Sequence, residues 1–295
     1  MNEDTTELYL IRHGESVPNV TPIIGGMRGD AGLTARGREQ AQLLEKRLRE
    51  EELHADQLYA STLPRALQTA DYVARALDLP VQPNDELHEL RPGEADGLTV
   101  DQWRERYWPR PPAVRDGFTP LAPGGESWVT FLARAGAAIA ALVDRHPGET
   151  VVAVCHGGVI EASFYLAFGL GGSADRVSFA VLNTSITRWR HRRGPNGRRE
   201  WTAVTLNDAG HLAGADTPTE SPARLSRPHP ARQGRARKLM TAAVMPDDEE
   251  RRTRQVHEAR AELPAEQVER RRHCGHVNVD TQRVALDRLD DELSG

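Results

Sequence analysis

Cysteine is nearly absent. The 295-residue chain has two, Cys155 and Cys274, too few for a disulfide framework. Long apolar runs are missing as well. None approaches the ~20 residues that a membrane-spanning helix needs, so no membrane partner is expected. The first residues, MNEDTTE, are acidic and polar, unlike a secretory or transit signal. The expectation is a soluble, cytoplasmic protein. Aromatics are few, at 5%. Lysine occurs only as Lys46 and Lys238, so the basic residues are almost all arginine. Neither sign of charge dominates. The formal net charge of -5 argues against non-specific nucleic-acid binding.

What is present is unevenly distributed. Residues 1–215 alternate apolar, strand-like runs with amphipathic, helix-like ones. Beyond Asp216 that order stops. DTPTESPARLSRPHPARQGRARK is rich in Pro, Ser and Arg and has no apolar period, the composition of a disordered linker. Residues 216–295 hold 15 acidic and 15 basic residues, a polyampholyte near neutrality. One part, DDEERRTRQVHEARAEL, has Glu/Arg pairs at helical spacing but no apolar face. The expected organisation is a folded domain over 1–215 and a charged, low-order tail over 216–295.

Within the first part, ELYLIR and TVVAVC (150–155) read as short strands buried on both faces. DQLYAS (56–61) is a weaker version. TARGREQAQLLEKRLREEEL opens on Thr34 as N-cap and places Ala41, Leu44 and Leu48 on one face. STLPRALQTADYVARAL has Pro64 in its first turn, with Leu67, Ala70, Val73, Ala74 and Leu77 inward. The cleanest helical period runs over 126–144, and HPG at 146–148 ends it. SFAVLNTSITRWRH and EWTAVTLND read as late strands joined by RRGPNGRR. Strands alternating with helices predict an α/β fold with a mostly parallel sheet.

In such a sheet, ligands bind beyond the carboxyl ends of the strands. The first strand ends in Arg12-His13-Gly14. The strand 150–155 leads into His156-Gly157-Gly158. The strand at 56–60 runs into STLPR, with Arg65 in the next helix. Two histidines and two arginines on one sheet edge suit the holding of a tetrahedral dianion. Guanidinium forks match phosphate oxygens, glycine lets backbone approach closely, and helix N-termini add amide donors. One imidazole can accept a phosphoryl group covalently. Ester cleavage also requires an acid for the leaving oxygen. NDELHELRPGEADGL (84–98) offers Asp85, Glu86, Glu89, Glu94 and Asp96, and spacing alone does not choose among them. Cys155 beside His156 is no Cys–His pair, because strand neighbours point to opposite faces; it reads as a small buried hydrophobe. His273, Cys274 and His276 lie close together, but a zinc site needs about four ligands, and no second cluster completes one.

These stations, in this order, resemble the histidine phosphatase superfamily, in its phosphoglycerate-mutase-like branch. LIRHGES matches its signature. GDAGLTARGREQA, STLPRALQTA, ELRPGEADGLT, PGGES (123–127) and VCHGG follow in order over roughly 5–210. The resemblance implies a three-layer α/β/α sandwich with a mostly parallel central sheet and a late strand at its edge. It implies His13 as the phosphorylated nucleophile, with Arg12, Arg65 and His156 completing the phosphate pocket. Glu89 falls on the family's proton donor, Asn19 on the pocket rim, and Gly157 among the substrate-binding positions. It implies no cofactor and no metal. Two departures stand out: Ala95-Asp96 where relatives carry an aromatic or acidic pair, and a glycine-rich Gly25-Gly26-Met27-Arg28 in a loop that contacts substrate in relatives.

The leading functional expectation is a phosphatase acting on a small phosphorylated metabolite through phospho-His13. A sugar-phosphate mutase is the first rival. Mutases of this type carry a long insertion after the acid loop, whereas here Glu89 to Pro123 spans only 34 residues; WRERYWPRPP (103–112) does resemble a mutase stretch. Trp103 and Trp108 are placed either at the site entrance or in packing. An idle phospholigand-binding or scaffold protein is the alternative of another class, with the tail as the segment that binds an unknown partner. Oligomeric state stays open, a homodimer included.

Overall fold

The computed structural model describes residues 5–108, 117–171, 177–194 and 196–214. The tail, with the His273, Cys274 and His276 cluster, lies outside the described residues, as does the end of WRERYWPRPP. In chain order the elements are β1 (Thr5–Arg12), α1 (Val17–Val20), α2 (Ala35–Glu50), β2 (Gln57–Ala60), α3 (Pro64–Leu77), β3 (Gln82–Pro83), α4 (Val100–Tyr107), α5 (Trp128–Arg145), β4 (Thr150–Cys155), α6 (Gly157–Phe168), β5 (Ile186–Arg193) and β6 (Arg199–Asp208).

The six strands form one sheet in the order β3-β2-β4-β1-β5-β6. The first four run parallel; β5 and β6 join antiparallel. Period-2 alternation makes the sheet two-faced. Along β4, Val151, Ala153 and Cys155 point to one apolar cluster with Phe131, Ile139 and Leu142 of α5 and Ile160 of α6. Val152 and Val154 point to the other, with Leu44 and Leu48 of α2 and Ala66, Ala70 and Val73 of α3. The fold is thus a three-layer α/β/α sandwich. Each of the larger side chains among these, Val, Leu, Ile and Phe, contributes about 1.5–3 kcal/mol when fully buried. Helix starts follow local chemistry. The Thr34 side chain accepts the Gly37 N–H at α2, and Ser127 caps α5.

Strand register positions the site. β1 and β4 pair with Arg12 opposite Cys155, so the next residues, His13 and His156, emerge side by side at the carboxyl edge. Ala60 of β2 pairs with Val154, so Ser61 reaches the same edge.

Three features differ from the expectations. The two late strands read from the sequence both form and join antiparallel, where the resemblance implied a single late strand at the edge. The strand read from Ser178 begins only at Ile186. Before it, the buried Asn183, Thr184 and Ser185 form a turn, with Thr184 at φ 54°. Short polar side chains bond nearby backbone and compete with a ladder; Thr184 Oγ1 donates to the Asn183 carbonyl at 2.8 Å. Helix α4 was not foreseen, although Thr99 and Gln102 form a capping box, a start signal readable from sequence.

Candidate active site

His13 stands one residue past β1, buried to 3% exposure. Its Nδ1 lies 2.7 Å from the Gly14 carbonyl oxygen. A carbonyl only accepts, so Nδ1 carries the proton and Nε2 carries the lone pair. Arg65 Nε donates to that Nε2 at 3.2 Å. Burial, with Arg65 and Arg12 nearby, holds the imidazole well below its usual pKa. The ring is therefore neutral and its free nitrogen nucleophilic.

The two guanidinium groups are fixed from different elements. Arg12 closes β1, and its Nη1 donates to the Val181 carbonyl. Its Nε is buried without a partner, and burial lowers its pKa to about 10. Arg65, at the start of α3, is locked by Asp30. The carboxylate takes Arg65 Nη1 at 2.8 Å and the Arg65 backbone N–H at 3.2 Å. Both side chains of this pair are buried, Asp30 completely. The sequence reading missed Asp30, which sits in the quoted GDAGL with nothing local to mark it.

His156 is fully buried at the N-cap of α6. Its ring centroid is 5.1 Å from that of His13. Its Nε2 contacts Ser61 Oγ at 2.7 Å, and its Nδ1 has no partner. Burial foremost, then Arg65, holds this ring also well below the usual pKa. Arg12 Nε and His156 Nδ1 are thus two buried side-chain nitrogens without acceptors at the same sheet edge, an arrangement that an anion's oxygens could satisfy.

Among the five acidic residues left open by sequence, Glu89 alone reaches the second-histidine motif. Its Oε2 accepts the Gly158 N–H at 3.0 Å, and Oε1 accepts the Leu90 N–H at 3.0 Å. Asp85 bonds Thr62, Glu86 bonds Arg91 and Glu94 bonds Tyr107. Asp96 collects the backbone N–H groups of Gly26, Arg28 and Gly29 at 2.9, 2.9 and 3.0 Å. The two departures noted in the sequence therefore meet: Asp96 clamps the glycine-rich loop.

The glycines call for a correction. Gly14 does not serve chiefly to give a ligand room. A Cβ there would lie 2.5 Å from the Gly37 carbonyl oxygen, so its absence lets α2 dock. Gly157 comes near the site, since a Cβ would lie 3.6 Å from Arg12 Nε, an ordinary contact. At Gly158 a Cβ would sit 2.2 Å from Glu89 Oε1, so any larger residue there would displace the Glu89 carboxylate.

Asn19 is buried beside the site, and its Oδ1 accepts the Ser16 N–H at 3.1 Å. Asn183 Nδ2 donates to the His13 carbonyl at 3.0 Å, and the Ser185 carbonyl takes the Arg12 N–H at 3.2 Å. Residues 181–185 thus form a wall that sequence reasoning read as strand; the polar NTS inside an apolar run was its signal. Trp103 is packed with Ala95 and Ala122 in a small cluster that Trp108 joins, so both tryptophans serve packing. Cys155 is buried and free, and burial pushes its thiol pKa up. Among the described residues no group of three or more His, Cys, Asp or Glu is arranged to hold a metal. No described helix is long and apolar enough to cross a membrane.

This edge has counterparts in known proteins. The family described as "Histidine phosphatase superfamily (branch 1)" matches residues 8–208. The chain belongs to the histidine phosphatase superfamily. Phosphoglycerate mutase-like protein 4 of Arabidopsis thaliana is 33% identical over 216 residues, 71% of this chain and 88% of that protein. The probable phosphoglycerate mutase GpmB of Salmonella paratyphi C is 30% identical, over 70% of this chain and 94% of its own length. Among solved structures, a mycobacterial glucosyl-3-phosphoglycerate phosphatase complexed with VO3 superposes with a TM-score of 0.53 at 28% identity. That match covers 68% of this chain and 98% of the other. Superfamily relatives of this chain thus bear both phosphatase and mutase names.

Proposed function

We propose that this histidine phosphatase superfamily member hydrolyses a small phosphomonoester through a phosphohistidine on His13. The observation that carries the reading is the pairing of a nucleophile with an anion cavity. The His13 proton is fixed on Nδ1 by Gly14, and the bare Nε2 faces Arg65, beside the unpartnered donors of Arg12 and His156.

In the first step the Nε2 lone pair forms a bond to phosphorus as the ester P–O bond breaks. The leaving oxygen takes the proton of a protonated Glu89 carboxyl group. In the second step Glu89, now a carboxylate, removes a proton from water. The water oxygen attacks phosphorus, the P–N bond breaks, and inorganic phosphate leaves. Arg12, Arg65 and His156 hold the charge on the equatorial oxygens throughout. No metal takes part in this scheme.

Hydrolysis is favoured over mutase chemistry by the short link from Glu89 to the start of α5. Its described part is committed to the small Trp103 cluster. The test is phosphate release from p-nitrophenyl phosphate. His13→Ala should lower turnover at least about a thousand-fold, the scale of removing a catalytic nucleophile. Interconversion of 2- and 3-phosphoglycerate without phosphate release would establish the mutase instead.

A further inference from the structure

Ser61 follows β2 and is fully buried. Its backbone N–H is tied to the Val154 carbonyl at 3.0 Å. Among the described residues its hydroxyl meets two polar groups, His156 Nε2 at 2.7 Å and the Leu63 N–H at 3.4 Å. The Leu63 amide can only donate. The hydroxyl oxygen has lone pairs for both neighbours, but its buried proton has no acceptor among the described residues other than His156 Nε2, which takes it only when bare. In a neutral ring the imidazole proton then sits on Nδ1. That is the nitrogen left buried and unpartnered, on a ring whose centroid is 5.1 Å from that of His13.

We propose that Ser61 is a positioning residue that selects the Nδ1–H tautomer of His156, so that this histidine offers an N–H donor to the phosphoryl group. The assignment rests on the phosphohistidine reading above for its ligand, though not for its geometry. It gives the two site histidines opposite tasks from the same tautomer. His13 turns Nδ1–H outward to the Gly14 carbonyl and Nε2 inward. His156 turns Nε2 outward to Ser61 and Nδ1–H inward. One ring supplies a lone pair and the other a proton donor. Without Ser61, His156 can place its proton on Nε2 and face the anion with a lone pair, which repels phosphoryl oxygens.

The direct test reads the wild-type protein. Ring-nitrogen NMR of the full-length chain carrying 15N-histidine, at pH 7.5, reads the protonated nitrogen of each ring; the His156 signals are identified by their loss in His156→Gln. Protonated Nδ1 with bare Nε2 is expected for His156. Protonated Nε2, or rapid exchange between tautomers, overturns the proposal. The second readout is inorganic phosphate binding by calorimetry. Ser61→Ala should weaken it about tenfold, the scale of one charge-assisted hydrogen bond, with His156→Gln comparable. The double variant should be no weaker than His156→Gln alone, because Ser61 acts through that ring. Additive losses would overturn the proposal, and the wild-type spectrum decides alone if Ser61→Ala fails to fold. Neither readout uses turnover. A His13→Ala protein that kept phosphatase activity would defeat the phosphohistidine reading and leave the tautomer assignment standing.

Discussion

Asp30 and Arg65 show how a single buried carboxylate fixes a guanidinium beside His13. The carboxylate has no exposure and takes two bonds from Arg65. Deleting one partner of a buried ion pair costs about 3–5 kcal/mol, because the other charge is left uncompensated. Asp30→Ala should therefore lower the thermal midpoint markedly. It also makes the cavity more positive, so an anion can substitute for the lost carboxylate. The upward shift in midpoint produced by inorganic phosphate should be larger in the variant than in the wild type. An equal or smaller shift would show that Asp30 does not share its charge with the phosphate cavity. Arg65 also faces His13 and helps lower its pKa. In Arg65→Gln the acid limb of kcat/KM should move to higher pH, since one of the cations disfavouring imidazolium is gone. A limb that stayed in place or moved down would contradict that electrostatic role.

At the scale of elements, strand register does most of the positioning. Arg12 opposite Cys155 and Ala60 opposite Val154 bring three strand ends to one edge. Short apolar runs ending in RHG, CHGG and STLPR carry that information, which is why the meeting of His13, His156 and Arg65 on one edge of a mostly parallel sheet was legible in the sequence, while the helices on both faces entered through the family resemblance. Asp30 and Ser61 as a partner of His156 were not legible, and the 181–185 wall showed only as a polar NTS within an apolar run. Each acts through contacts between residues far apart in the chain, and neither spacing nor periodicity records those. Asp96 belongs to the same class. Its carboxylate gathers three N–H groups of the 26–29 loop, whose neighbour Gly25 offers its carbonyl to Arg65 Nη1 at 3.3 Å. Asp96→Ala should speed hydrogen exchange at Gly26, Arg28 and Gly29. It should raise KM for a phosphomonoester several-fold with kcat little changed, since about 1 kcal/mol per hydrogen bond is lost from a loop and not from the reacting groups. A fall in kcat with unchanged exchange rates would place Asp96 in the chemistry instead.

Across the whole molecule, acid sensitivity follows from how many histidines are folded away neutral. His13 and His156 lie well below the ordinary imidazole pKa, chiefly through burial. His191 on β5 is lowered by burial as well, and burial with Arg47 brings His211 down to about 4. In each case the folded value is below the unfolded one, near 6.5. Above that pH both states are unprotonated and the full stability is present. As pH falls through 6.5 the unfolded chain takes up protons that the folded chain does not, so stability is lost. The buried His13 and His156 both contribute to this loss. Thermal midpoints in phosphate-free buffer should hold steady from pH 8 to 7 and then fall steadily to pH 5. His191 lies on β5, away from the anion cavity, with its Nε2 buried and unpartnered and its ring against Trp201 at 4.7 Å between centroids. His191→Phe keeps the ring contact and removes a titrating group. Its midpoint should fall less between pH 7 and 5 than that of the wild type, with inorganic phosphate binding unchanged. A midpoint as acid-sensitive as the wild type would mean that His191 is not neutral in the folded protein.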